Sequence, residues 1–216
     1  LGLDQLREHI ASSTTVRQLG RVLQVVGTIV EAQLPGVAVG AIADVGKTQC
    51  EVVGFRENRA LLMPLGELSG ISHGDPVRVR GTTLTIPVGQ GLLGRVIDPL
   101  GNPLDGVPLR DCLGRRSLHA EPPKAMNRTR IEHPMATGIR TIDGLLTLGE
   151  GQRVAIMAGS GVGKSTLLGM AARSSQAEVN VVCLVGERGR EVREFLERDL
   201  GPEGLARSVV IVATSD

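Results

Sequence analysis

Eight consecutive residues, Ala158-Gly159-Ser160-Gly161-Val162-Gly163-Lys164-Ser165, carry the clearest chemistry in this sequence. Small residues let backbone N–H groups converge on phosphate oxygens. The lysine supplies a point charge for the outer phosphates, and the following serine hydroxyl suits Mg²⁺. The pattern is G-x-x-x-x-G-K-[ST] with alanine in first place, where a methyl group at the loop's outer edge leaves the phosphate pocket open. Of 24 lysines and arginines only Lys47, Lys124 and Lys164 are lysines, and one of them stands at the required position. The residues expected to hold a nucleoside triphosphate, ATP in the first instance, are Gly159, Ser160, Gly161, Val162, Gly163, Lys164, Ser165 and Thr166. Ser165 doubles as the Mg²⁺ ligand and Lys164 as a catalytic group.

A carboxylate follows at Glu187, within Gly186-Glu187-Arg188-Gly189-Arg190-Glu191. Side chains at the C-terminal ends of parallel strands face the ligand crevice. There Glu187 could polarise a water in line with the terminal phosphate, and Arg188 could meet the leaving charge. A glutamate near a helix start is also favoured by the helix dipole alone. The residue types by themselves leave both readings open. No guanine-reading N-K-x-D occurs over 166–216.

The elements that would position these groups alternate strand and helix. The pattern predicts a strand over 153–157, a helix over 164–173 with Leu167, Leu168, Ala171 and Ala172 inward, and an apolar strand over 179–185 buried on both faces. A helix over 191–200 with Val192, Phe195 and Leu196 on one side and a strand over 208–213 complete it. This order implies right-handed crossovers and a parallel sheet, an α/β P-loop (RecA-like) architecture.

Upstream the texture differs. Short β-branched runs over 22–30, 37–43, 49–55, 60–63, 76–80 and 82–86, with no helical stretch between them, predict a small β-barrel. The segments 64–74 and 89–106 read as loops, and the basic stretch 110–133, with Pro122-Pro123, as an extended connection. Residues 1–13 could form a short amphipathic helix carrying Leu3, Leu6 and Ile10 on one stripe. The expected division is a tail over 1–19, a barrel over 20–87 and the N-terminal part of a P-loop ATPase domain over 88–216. The chain opens on Leu and closes just after an apolar run, as a piece of a longer protein would.

Net charge is +1, which gives no global electrostatic case for nucleic acid or an anionic membrane surface. Hydrophobic residues make up 41% and charged residues 22%, the balance of a globular protein. Cys50, Cys112 and Cys183 form no C-x-x-C pair, and the histidines show no metal-ligand spacing.

Together these segments resemble the type III secretion ATPase family, relatives of the catalytic subunits of rotary F- and V-type ATPases. The resemblance runs in order through Gly20-Arg21-Val22, Val52-Val53-Gly54-Phe55, Leu62-Met63-Pro64-Leu65-Gly66, the stretch from Leu93 to Gly106, Gly151-Gln152-Arg153, Ala158 to Leu168, and Leu184 to Phe195. It implies that Glu187 matches the water-activating glutamate and that Arg188 lies near the terminal phosphate. It implies a protein-secreting ATPase that uses ATP and Mg²⁺ and works as a homohexamer. Implied partners are export-gate and stalk proteins, secreted proteins and their chaperones, at the cytoplasmic face of the inner membrane, with no nucleic acid. The family's Walker B aspartate, arginine finger, adenine-stacking aromatic and C-terminal helical domain would lie beyond Asp216.

Leu65-Gly66-Glu67 and the ending 212–216 resemble injectisome members, with the flagellar export ATPase as the alternative. A non-catalytic nucleotide-binding subunit commonly has Gln at the position of Glu187. An RNA-translocating hexameric ATPase would want aromatics that stack on bases, which Phe55 and Phe195 do not provide. The basic set Arg110, Arg115, Arg116, Lys124, Arg128 and Arg130 reads as a solvated linker or interface.

Overall fold

The computed structural model describes residues 19–81, 83–112, 114–159 and 161–215. The helix expected over 1–13 and the P-loop residue Ser160 lie outside them. The chain divides into two compact units, one of residues up to Leu84 with Ser117–His119, the other of Thr85–Arg116 with the rest.

In the first unit, six antiparallel strands close a barrel in the order β1-β2-β5-β4-β3-β6. They are β1 (Leu19–Val26), β2 (Ile29–Gln33), β3 (Ile42–Val45), β4 (Thr48–Arg56), β5 (Arg59–Pro64) and β6 (Pro76–Gly81). Alternation sets the core: Cys50 and Val52 point inward from β4, and Val22, Val30, Leu62 and Val77 meet them there. Bulges at Val22/Gln24 and Val52/Gly54 add the local twist that closure requires.

The barrel has six strands, but three of the six runs expected from the sequence come out differently. The apolar run 22–30 is a hairpin, because Gly27 takes a φ of 60° and turns the chain between Val26 and Ile29. The run 37–43 contributes only its end, Ile42–Val45, as β3. Of the run 82–86, the described residues 83–86 add no barrel strand. Instead β7 (Thr85–Val88) pairs with β9 (Gly114–Ser117), so part of the connection read as irregular is a strand. Glu31, buried on β2, accepts hydrogen bonds from Gln24 (2.8 Å) and Arg59 (3.0 Å), which hold its carboxyl below the usual range.

The second unit is built on a parallel sheet ordered β12-β13-β8. Between β7 and its last strand come β8 (Arg95–Ile97), β10 (Pro134–Met135), α1 (Arg140–Leu145), β11 (Leu148–Gly149), α2 (Lys164–Ser174) and β12 (Asn180–Glu187). Then follow α3 (Gly189–Glu194), a π-helical stretch Phe195–Leu200, α4 (Gly201–Ala206) and β13 (Ser208–Thr214). Strand β8 emerges from a stretch that reads as loop. A bidentate ion pair from Arg95 to Asp105 (2.6 and 2.7 Å), with a further bond from Arg95 to the Val107 carbonyl, ties down the loop after it.

The strand expected over 153–157 is absent: among the described residues these positions pair with no strand, and Val154, Ile156 and Met157 are exposed. A strand exists only through its ladder partners, and apolar content alone does not supply one. For the same reason β12 is covered on one face only. Val182 and Leu184 are buried, whereas Val181 and Val185 are 64% and 75% exposed. The core of this unit is Ala172, Val182, Leu184, Val192, Phe195, Leu200, Val210 and Val212. The helix expected over 191–200 begins at Gly189 as α-helix and widens to π-helix at Phe195.

Candidate active site around the glycine-rich loop

The loop delivers the chain into α2 with Gly163 at the N-cap in the left-handed conformation (φ 96°, ψ 23°), which costs glycine no steric penalty. Among the described residues no side chain caps α2 and no acidic residue occupies its first turn, so its leading N–H groups face the loop without a protein anion. A Cβ built on Gly159, Gly161 or Gly163 would meet nothing within 4 Å. The loop is therefore an open cradle of backbone with room for a ligand's phosphates. Lys164 folds back so that its Nζ donates to the Ala158 carbonyl at 2.8 Å. This arrangement fits a phosphate chain with its Mg²⁺: uncommitted N–H donors, a lysine at the loop, and the Ser165 hydroxyl beside it.

Glu187 arrives from the opposite side. Its strand runs parallel to β13, and the register shifts between Val185 and Glu187, so a bulge at Gly186 sets Glu187 across from Thr214. The Glu187 carbonyl accepts from the Ser215 N–H at 3.1 Å, extending the pairing past the bulge. The sheet's C-terminal edge thus presents a carboxylate to the mouth of the P-loop.

A cavity of about 450 Å³ lies between these parts. It brings together Gly161, Gly163, Lys164, Ser165 and Thr166 with Glu187, Glu191 and Glu194. Phe195, Arg198 and Asp199 close the far wall. A second hollow of about 330 Å³, bordered by Cys183, Val185 and Leu168, shares Lys164, Ser165, Glu187 and Phe195 with the first. Gly159, Val162 and Arg188 are not on the wall of either cavity, and Val162 is exposed. Arg188 instead donates from Nη1 to Glu191 Oε1 at 3.2 Å.

The sequence reading gave no role to Glu191, Glu194, Arg198 or Asp199. A signal for the first three was present: positions 191, 194 and 198 are spaced three and four apart, a single stripe of a helix. Asp199 falls seven residues after Val192 and four after Phe195, on the same stripe as the apolar face, which the residue order also showed.

Electrostatics single out the two glutamates nearest the loop. A hydrogen bond that Glu187 donates to Glu191, then partial burial and the Glu191 charge, push the Glu187 carboxyl above the ordinary glutamate range, while Lys164 and Arg188 pull it back. The same hydrogen bond holds the Glu191 carboxyl low, with Arg188 assisting. Two carboxyls in such contact share one proton, and their titration belongs to the pair. A carboxylate whose proton affinity is raised, within the same cavity as a P-loop lysine, can accept a proton from a water attacking a phosphoryl group.

The sequence and fold place the chain in a known class. A family profile described as the ATP synthase alpha/beta family, nucleotide-binding domain, matches residues 138–216. Its companion, the beta-barrel domain of the same family, matches residues 16–81. The chain belongs to the ATP synthase alpha/beta family, matching both of these domain profiles in order.

The type 3 secretion system ATPase of Xanthomonas euvesicatoria is 49% identical over 98% of this chain and 49% of that protein. The flagellum-specific ATP synthase of Bacillus subtilis is 48% identical over 98% of this chain and 50% of that protein. Among solved structures, the ATPase EscN of enteropathogenic E. coli, assembled with its central stalk EscO, superposes with a TM-score of 0.84 at 42% identity. That match covers 91% of this chain and 49% of EscN. The chain spans about half the length of the curated relatives it matches.

Proposed function

We propose that this chain is the nucleotide-binding portion of an ATPase that energises protein export through a type III secretion system. The observation that carries the reading is the meeting of Lys164, Ser165 and Glu187 on the wall of one cavity. In this proposal the backbone of 159–163 and the N-terminus of α2 receive the phosphates, with Ser160, Val162 and Thr166 completing the loop. Lys164 leaves the Ala158 carbonyl for the outer phosphates, and Ser165 holds Mg²⁺, which neutralises charge on the phosphoryl oxygens. Glu187 takes the proton of the attacking water, and Arg188 balances charge at the terminal phosphate.

The relatives it matches include both secretion and flagellar proteins at nearly equal identity, 49% and 48%. Export through a type III apparatus is the role common to both, and the injectisome role rests on the motifs at 65–67 and 212–216. The assembled state of EscN and its complex with a stalk protein support a homohexamer that engages a stalk here as well. Export-gate proteins, chaperones and secreted proteins would be its further partners, at the cytoplasmic face of the inner membrane. Among the described residues no helix is long and apolar enough to cross a membrane.

Equilibrium binding of ATP to the chain and to its Lys164→Ala variant, with and without Mg²⁺, tests the core of this reading. The chain should bind Mg-ATP, and the variant should lose that binding, because the phosphates lose their nearest cation. Undiminished binding by the variant would sink the assignment.

A further inference from the structure

Lys164 of the loop and Arg188, next to Glu187 in the chain, are both already committed within the protein. Lys164 donates to the Ala158 carbonyl at 2.8 Å, and Arg188 donates to Glu191 at 3.2 Å. The two attachments differ in kind. A neutral carbonyl gives up an ammonium easily, whereas a carboxylate must be outcompeted by a stronger anion. Glu191 belongs to the wall of the 450 Å³ cavity, and Arg188, three residues earlier, does not. Glu191 also hydrogen-bonds the Glu187 carboxyl, so it touches both groups that the proposed function makes catalytic.

Resting on that proposed function, we propose that Glu191 is a positioning residue that keeps the Arg188 guanidinium off the phosphate cavity until a polyphosphate competes for it. Arg188 and Glu191 are a surface-accessible pair, with side chains 65% and 41% exposed. Exposed pairs of this kind are weak enough to exchange partners without a large penalty. Glu191 is then a selectivity element. A ligand with several charged phosphates gains Arg188 by displacing Glu191, while a weaker anion leaves the pair intact. The simpler account of the same contact is an i,i+3 ion pair that only steadies the start of α3. The two accounts differ in whether Glu191 reaches the ligand through Arg188.

A double-mutant cycle on the 216-residue chain separates them, with inorganic tripolyphosphate as probe and Mg²⁺ removed by chelation. Without the metal, any influence of Glu191 on a bound cation drops out. Glu191→Gln should tighten tripolyphosphate binding about two- to five-fold, the range set by a weak exposed pair. In an Arg188→Gln background the same change should yield a clearly smaller gain, left over from removing one negative charge. Equal gains in both backgrounds, or no gain in either, would overturn the role of Glu191 while leaving the P-loop reading intact. A chain that fails to bind tripolyphosphate at all, or binds it equally well as Lys164→Ala, would overturn both.

Discussion

Gly169 of α2 packs directly on the backbone of Asp199: a Cβ at Gly169 would lie 2.5 Å from the Asp199 carbonyl oxygen. The P-loop helix and the π-helical stretch therefore touch main chain to main chain, and Arg173 of the same helix donates to the Asp199 carbonyl as well. The contact joins the helix that carries Ser165 to the stretch that carries Arg198 and Asp199, and all three line one cavity.

Gly169→Ala should destabilise the second unit by about 1–3 kcal/mol, the usual cost of overpacking. The atom in the way is backbone and cannot rotate aside. A denaturant titration of the variant beside the parent chain measures it, and an unchanged midpoint would show that α2 and the 195–200 stretch part without cost.

In the protein carrying this chain, Glu187→Gln should retain Mg-ATP binding and lose turnover by roughly 10²-fold or more, the scale of general-base effects. Glutamine keeps the size and can hold a water, but it is a poor proton acceptor. Binding and phosphate release, measured on the same preparation, separate the two properties. Binding lost together with turnover would make Glu187 a structural residue.

The pH dependence follows from the direction of the Glu187 shift. A base works when deprotonated, and the hydrogen bond and charge of Glu191 raise its proton affinity. The acid limb of the kcat profile should therefore lie above the ordinary glutamate range. Glu191→Gln removes the neighbouring charge and should move that limb to lower pH. Arg188→Gln removes a cation that stabilises the carboxylate and should move it to higher pH. Limbs that stay fixed in both variants would mean that Glu187 does not set the rate.

The cysteines should react unequally. Cys50 is buried in the barrel, and burial pushes its thiol up to about 11. Cys183 is exposed on the open face of β12. Mild alkylation of the native chain near pH 8 should modify Cys183 and spare Cys50, because the reactive species is the accessible thiolate. Mass spectrometry of tryptic peptides reads the order directly. Early loss of the Cys50 thiol would show that the barrel opens on the labelling timescale.

Much of this architecture can be read from residue order, and the exceptions have physical reasons. The loop at 158–165 is legible because its glycines and lysine serve one chemistry at fixed spacing. The strands 180–187 and 208–214 are legible as apolar runs between turns. Arg95–Ile97 is too short to declare itself, and only parallel pairing with Val209–Ile211 makes it a strand. The converse holds for 153–157, which has a strand's composition and no ladder partner among the described residues. Glu191 could have been noticed from its helical spacing to Glu194 and Arg198, but its contact with Arg188 requires coordinates. Asp199 shares the helical stripe of Val192 and Phe195, but a lone carboxyl on an apolar face does not say that it reaches a cavity wall.

That change of pitch lets one stretch of chain keep two appointments. Up to Glu194 the helix advances in step with the row of acidic side chains that faces the loop. From Phe195 the wider turns slip the phase, so Leu200 drops into the hydrophobic interior while Arg198 and Asp199 stay on the cavity wall. A uniform α-helix, at 100° per residue, would keep Arg198 near Glu194 but set Leu200 about 140° around the axis from Phe195. The π-helical stretch works as a vernier, a fine offset between the scale on which the site is ruled and the scale on which the core is ruled.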